Sequence, residues 1–219
     1  MTVLFFLTMI IIFLGIDFIV QRKKKTAPAA YQAERTPLPL RTPSGIFFAP
    51  SHTWLSLFPS GNVRIGADDF VLRMMKNPGI SFLKVPGSPA KKGEPLFQLK
   101  EGARTLTVHS PIDGDVVTVN EELAQQPGML KEELFSNGWA YTMKPHRASD
   151  LTQLLLGERS RAWIQHELGR LRDFIADSTQ TGTLSPVLLQ DGGTPVEGLL
   201  KDFSTEQCER FEQQFLNVQ

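Results

Sequence analysis

The chain opens on a block of apolar positions and then changes pattern three times. Val3 to Val20, VLFFLTMIIIFLGIDFIV, is almost uninterrupted hydrocarbon, with Asp17 the one charged residue inside it. At about 1.5 Å rise per residue such a helix reaches roughly 27 Å, close to the hydrocarbon thickness of a bilayer. It predicts a membrane-spanning helix, with Asp17 near enough to its end to reach the headgroups. From about residue 46 the pattern becomes two-residue alternation. TLTVHS and DVVTVN read as half-buried strands, separated by the turns FPSGN at 58–62, VPGSP at 85–89 and IDGD at 112–115. One helix is expected over 68–76, capped by Asp68 and stopped by Asn77-Pro78-Gly79, and a shorter one near 120–125. After Pro145 the period lengthens. Leu151, Leu155, Ile164, Leu168, Leu171 and Ile175 predict an amphipathic helix over 148–176, interrupted at Gly157. A final helix is expected in STEQCERFEQQFL, with Ser204 as its cap and Gln207 completing a capping box.

Charge gives the apolar run an orientation. Gln21 is followed by Arg22, Lys23, Lys24 and Lys25, and no lysine or arginine stands before the run. Basic flanks stay on the cytoplasmic side, so residues from Gln21 onward are expected there, behind an uncleaved single-pass anchor in the inner (plasma) membrane. Residues 26–45 follow, rich in proline, as a spacer. Over the whole chain the 23 basic residues equal the 23 acidic ones, which removes any reason to expect nucleic acid as a partner. The lone Cys208 excludes an internal disulfide, and His52, His109, His146 and His166 show no metal-ligand spacing. No nucleophile-base pair or phosphate loop stands out, so neither catalytic residues nor a metal are expected.

The alternating segment also carries a resemblance. His52-Thr53-Trp54 is followed by IGADDFVLRMM from Ile65, VPGSPAKKGEPLF from Val85, a return segment with Ser110, Pro111, Gly114, Val116, Val119 and Asn120, and then Pro127, Leu130, Gly138 and Trp139. In order and spacing these residues resemble the glycine cleavage H protein, a single lipoyl-type domain. The resemblance implies a mainly β fold, a flattened lipoyl-type barrel-sandwich hybrid of two small sheets with a hairpin at one end. Here it would carry a C-terminal helical extension and an N-terminal transmembrane helix. The family's lipoyl-bearing lysine stands seven residues before the serine of the Ser-Pro step, and counting back from Ser110 reaches Ala103. Alanine has no amine to form an amide with lipoate, so no cofactor is expected. Lys100, three residues earlier, is set off the tip and onto the other face of a strand.

These readings divide the chain into an anchor with its basic flank (1–25), a linker (26–45), an H-protein-like domain (46–145) and a helical extension (146–219). The expected function is non-catalytic: a membrane-tethered binding or scaffold module whose partner is an unidentified protein. Its candidate contacts are Lys100, Glu101 and Arg104 at the tip and Trp163 on the helix. Two alternatives stand beside it, an H-type carrier of glycine and one-carbon metabolism and a periplasmic adaptor-type membrane protein.

Overall fold

The computed structural model describes residues 40–180 and 197–217. The apolar run, its basic flank and most of the linker lie outside the described residues. Among those described, no helix is long and apolar enough to cross a membrane.

Two antiparallel sheets form the β part. The larger runs β1-β2-β3-β9-β8-β5, built from Phe47–Ala49, Thr53–Leu57, Val63–Ala67, Tyr141–Pro145, Gly114–Val119 and Pro89–Ala90. The smaller is β4-β6-β7, from Gly79–Phe82, Pro95–Glu101 and Arg104–His109. The alternation read in TLTVHS becomes burial: Leu106 and Val108 of β7 face a core shared with Leu96, Phe97 and Leu99 of β6 and with Trp54, Leu55, Val63 and Ile65. Helix α1, Asp69–Met74, lies between β3 and β4. Its cap is Asp68, whose carboxylate accepts from the Val71 N–H, and it ends at Met75 in extended backbone. Two single-turn helices follow β8: α2, Glu122–Gln125, as expected, and α3, Met129–Glu132, which the sequence pattern did not reveal.

The expected helix over 148–176 is two pieces. Ala148–Gln153 is a 3-10 turn, and α4 spans Glu158–Gln180. Between them the chain is pulled straight. The Leu155 N–H donates to the Phe48 carbonyl and its own carbonyl accepts from the Phe48 N–H, each at 2.8 Å. Gly157 then turns the chain with φ of 60°, a conformation costly for residues with a Cβ. A backbone bridge to β1 thus competes with helix at Leu155 and wins.

The last helix carries the expected cap. Ser204 and Gln207 form the reciprocal capping box at the start of α5, Thr205–Phe211, which runs on as a π-helical turn, Glu212–Leu216. A 3-10 turn, Leu199–Asp202, precedes it. The C-terminal elements share the barrel's hydrophobic core: Ile164, Leu171, Phe174 and Ile175 of α4 and Phe203, Phe211 and Phe215 are buried within it.

Candidate functional site

Two regions carry the polar and charged groups that a function would use, and the hairpin tip is the first. β6 and β7 pair with Glu101 opposite Arg104, leaving Gly102 and Ala103 as a two-residue loop. Gly102 has φ of 58° while Ala103 does not share a positive φ. Glycine at the first loop position is what a tight II′-type hairpin requires. Both loop residues are exposed, so Ala103 projects a methyl group from the outermost point of the hairpin.

The residues flanking the tip differ in their freedom. Lys100 is exposed on β6, opposite Thr105 and beside Gly79. Glu101 is committed to the backbone: its carboxylate accepts from the N–H groups of Lys76 (3.0 Å) and Asn77 (2.5 Å), just past the end of α1. Arg104 turns back toward the Cys208 thiol on α5. Burial pushes that thiol's pKa up, with Arg104 opposing, which makes it a poor thiolate nucleophile. Farther along β7, the Thr107 N–H donates to the Glu212 carboxylate. The C-terminal elements therefore brace the flank of the hairpin and leave its tip bare.

The second region is buried, and sequence reasoning passed over it. His52 sits in the turn between β1 and β2 with φ of 57°, a left-handed conformation that histidine visits more readily than most residues. It is fully buried. Its ring stacks on Phe70 at 4.1 Å and tilts against Trp163 at 4.9 Å. Nδ1 lies 2.8 Å from Asp68 Oδ2. Nε2 lies 3.6 Å from Glu167 Oε2, an ion-pair distance beyond hydrogen-bond reach. Burial opposes the charged imidazolium, yet Asp68 and Glu167 outweigh it and the pKa is raised above the ordinary histidine value. Glu167 mirrors this. Burial disfavours its charge, but His52 and Arg170 hold its pKa below the usual glutamate value. Arg170 donates to both Glu167 oxygens and to the Gln214 carbonyl (2.7 Å), and its guanidinium lies 4.8 Å from the Phe215 ring.

This cluster joins elements far apart in sequence and has no access for a substrate. Its chemistry is structural: one imidazole ring shared by the cap of α1 and the buried face of α4. Trp163, the candidate contact on the helix, is half-buried and packs on this histidine. A visible signal for Glu167 existed, since it stands among Ile164, Leu168 and Leu171 on the apolar stripe of α4. A carboxylate on a buried stripe demands a partner.

His52 and His109 do not pair. His109 closes β7 opposite Pro95. Among the described residues, no group of three or more His, Cys, Asp or Glu side chains is placed to hold a metal. A polar cleft of about 300 Å³ is lined by Lys92, Asp113, Arg147 and Asp150. There Arg147 lies 3.2 Å from Asp150 and 3.8 Å from Asp113, so the charges largely satisfy one another.

Residues 46–167 match the family model described as the glycine cleavage H-protein. The chain is 30% identical over 113 residues to the glycine cleavage system H protein of Hydrogenovibrio crunogenus, covering 52% of this chain and 88% of that protein. It is 26% identical over 124 residues to a probable glycine cleavage system H protein of Pyrococcus abyssi, covering 55% of this chain and 90% of that protein. Among solved structures, it is similar to a glycine cleavage system H protein from Mycobacterium marinum, with 20% identity, a TM-score of 0.45, and coverage of 53% of this chain and 93% of that one.

Proposed function

The chain belongs to the glycine cleavage H-protein family, and from that premise we propose that it is a non-catalytic, membrane-tethered module that binds a protein partner through the hairpin end without carrying a lipoyl group. The observation that carries this reading is Ala103 at the tip. The resemblance puts the family's lipoyl-lysine at that position, and the register of β6 and β7 supports the alignment by leaving only Gly102 and Ala103 in the loop. A methyl group cannot be acylated. Lys100 is a poor replacement: it is paired within the sheet rather than in the loop. The tip also suits a docking surface. Glu101, Arg104 and Glu212 fix the hairpin against the rest of the molecule, so a partner meets a surface already ordered and little entropy is lost on binding. Membrane tethering rests on the apolar run Val3–Val20 and its basic flank.

A second reading is favoured by a different observation. The matched relatives are named glycine cleavage H proteins, and on those names alone an H-type carrier in glycine and one-carbon metabolism is the better supported function. That support comes from the half of the chain they share, and the residue a carrier needs at the tip is the one this chain lacks. The experiment that separates a docking tip from an idle one uses photo-crosslinkers placed at positions 100 and 103, with 163 as comparison, in native membranes. Capture of one specific protein from 100 and 103 is the expected result. Capture only from 163 would move the contact to α4 and overturn the docking role of the tip.

A further inference from the structure

Helix α1 has six residues, Asp69–Met74, too few to hold its own ends in water. Asp68 caps its start from within the same segment. Its exit borrows partners from elsewhere. The last carbonyls of a helix have no donor inside it, and here distant donors meet three carbonyls at the exit. The Gly198 N–H donates to the Arg73 carbonyl at 2.8 Å. Lys131 of α3 donates through Nζ to the carbonyls of Met75 (2.6 Å) and Lys76 (2.8 Å). Its positive charge also suits the negative end of the helix dipole. Glu197 in turn holds the Lys131 ammonium at 2.6 Å. Glu197 and Gly198 lie beyond residue 167, where the family match ends. The C-terminal extension therefore grips the exit of α1 twice, once directly and once through Lys131.

The hairpin holds the same short segment from its other side. The N–H groups of Lys76 and Asn77 donate to the Glu101 carboxylate at 3.0 and 2.5 Å. Glu101 faces Arg104 across the two-residue loop, and Gly79, just beyond Asn77, pairs with Lys100. Residues 75–77 are thus fixed by their carbonyls from Lys131 and by their N–H groups from Glu101. A carboxylate braces a turn only when its donors are themselves held in place. We infer that the C-terminal extension is a clamp on the exit of α1 and that, through Lys76 and Asn77, it sets how firmly Glu101 holds the hairpin tip. As a control on docking, the clamp rests on the function proposed above. As a mechanical link within the fold, it needs no partner.

The test is hydrogen–deuterium exchange of the full chain in detergent micelles. Lys131→Met removes the ammonium and keeps an unbranched apolar stem. It should speed exchange over 75–79 and over the hairpin 99–106 by about tenfold, the factor supplied by one hydrogen bond to a charged group. Glu197→Gln, a change at the surface, should move the hairpin in the same direction by a smaller factor. Lys84→Met is the control. Its ammonium reaches Glu94 and the Pro89 carbonyl, and the pair is as exposed as the clamp, 25% and 40% against 21% and 40% for Lys131 and Glu197. Both segments should keep their natural rates in that variant. Acceleration confined to 75–79 overturns the inference, because the tip then holds without the clamp. Equal acceleration over 53–67 overturns it too, and assigns Lys131 to the stability of the whole barrel. A hairpin that responds to Lys131→Met and not to Glu197→Gln removes the extension from the device and likewise overturns it. If position 103 captures no protein, the docking role falls, and these rates still decide the clamp.

Discussion

The hairpin tip and the His52 junction are both built from charged residues of one barrel, and solvent makes them opposites. At the tip, Gly102 and Ala103 stand in water, and the charges beside them serve as braces or remain free. At the junction, His52, Asp68 and Glu167 are withdrawn from water, and against the opposing effect of burial the neighbouring carboxylates raise the pKa of His52 while His52 and Arg170 lower that of Glu167. The same residue types are replaceable in the first place and interdependent in the second. Breaking a buried pair strands a charge in low dielectric, whereas altering an exposed turn leaves the new group hydrated. The difference predicts where substitution costs stability and where it can change function alone.

The largest effect is expected where the junction meets the core. Phe215 is buried between Phe211 at 4.8 Å and Phe70 at 5.5 Å. Phe215→Ala should cost about 4 kcal/mol in urea unfolding, through lost burial and the cavity left behind. A cost under about 1 kcal/mol would mean that the C-terminal turn does not share the barrel's core.

Glu167→Ala comes next. It leaves the His52 imidazolium with Asp68 alone and releases Arg170, with an expected cost of about 3 kcal/mol, at the low end of a broken buried pair because Arg170 is partly open to solvent. The junction also sets a pH signature. The folded pKa of His52 is raised, so its contribution is complete below the ordinary value of 6.5 and is lost as pH rises through the folded value. The folded pKa of Glu167 is lowered, so its contribution is complete above 4.5 and is lost as pH falls through the folded value. The gap in Tm between the natural chain and His52→Gln should therefore be widest between pH 4.5 and 6.5 and narrow as pH rises through the folded pKa of His52. A gap that is flat with pH would show that the pair carries no charge.

These two regions also mark what the sequence could and could not disclose. The strands, the Asp68 cap and the Ser204–Gln207 capping box are written in neighbouring residues, and two-residue or helical periods reveal them, whereas the hairpin tip is located only by the family resemblance. The break before Gly157 was visible as a glycine. Its cause was not, because the bridge from Leu155 to Phe48 closes over more than a hundred residues. The junction was hidden for the same reason. His52, Asp68 and Glu167 become partners only when α4 lies across the β1–β2 turn, and no local pattern encodes that contact. Trp163 belongs to the same contact: it stands beside the amphipathic stripe in the sequence, and the structure lays it half-buried against His52.

The smallest expected effect on stability lies at the tip. Ala103→Lys should change the unfolding free energy by less than about 0.5 kcal/mol, since the side chain enters water from a turn whose positive φ belongs to Gly102. In cells with a lipoate ligase, the same substitution should add one lipoyl group at position 103. Loss of folding on that change would show that the tip is part of the core rather than its exposed end.

The central claim, that this family member works without the family's cofactor, is tested most directly by the intact mass of the unaltered chain after co-expression with a lipoate ligase and supplied lipoate. The account predicts the mass of the bare polypeptide, with no increment. A gain of one lipoyl group, mapped to Lys100 or to any other lysine, would contradict it and make the chain a carrier.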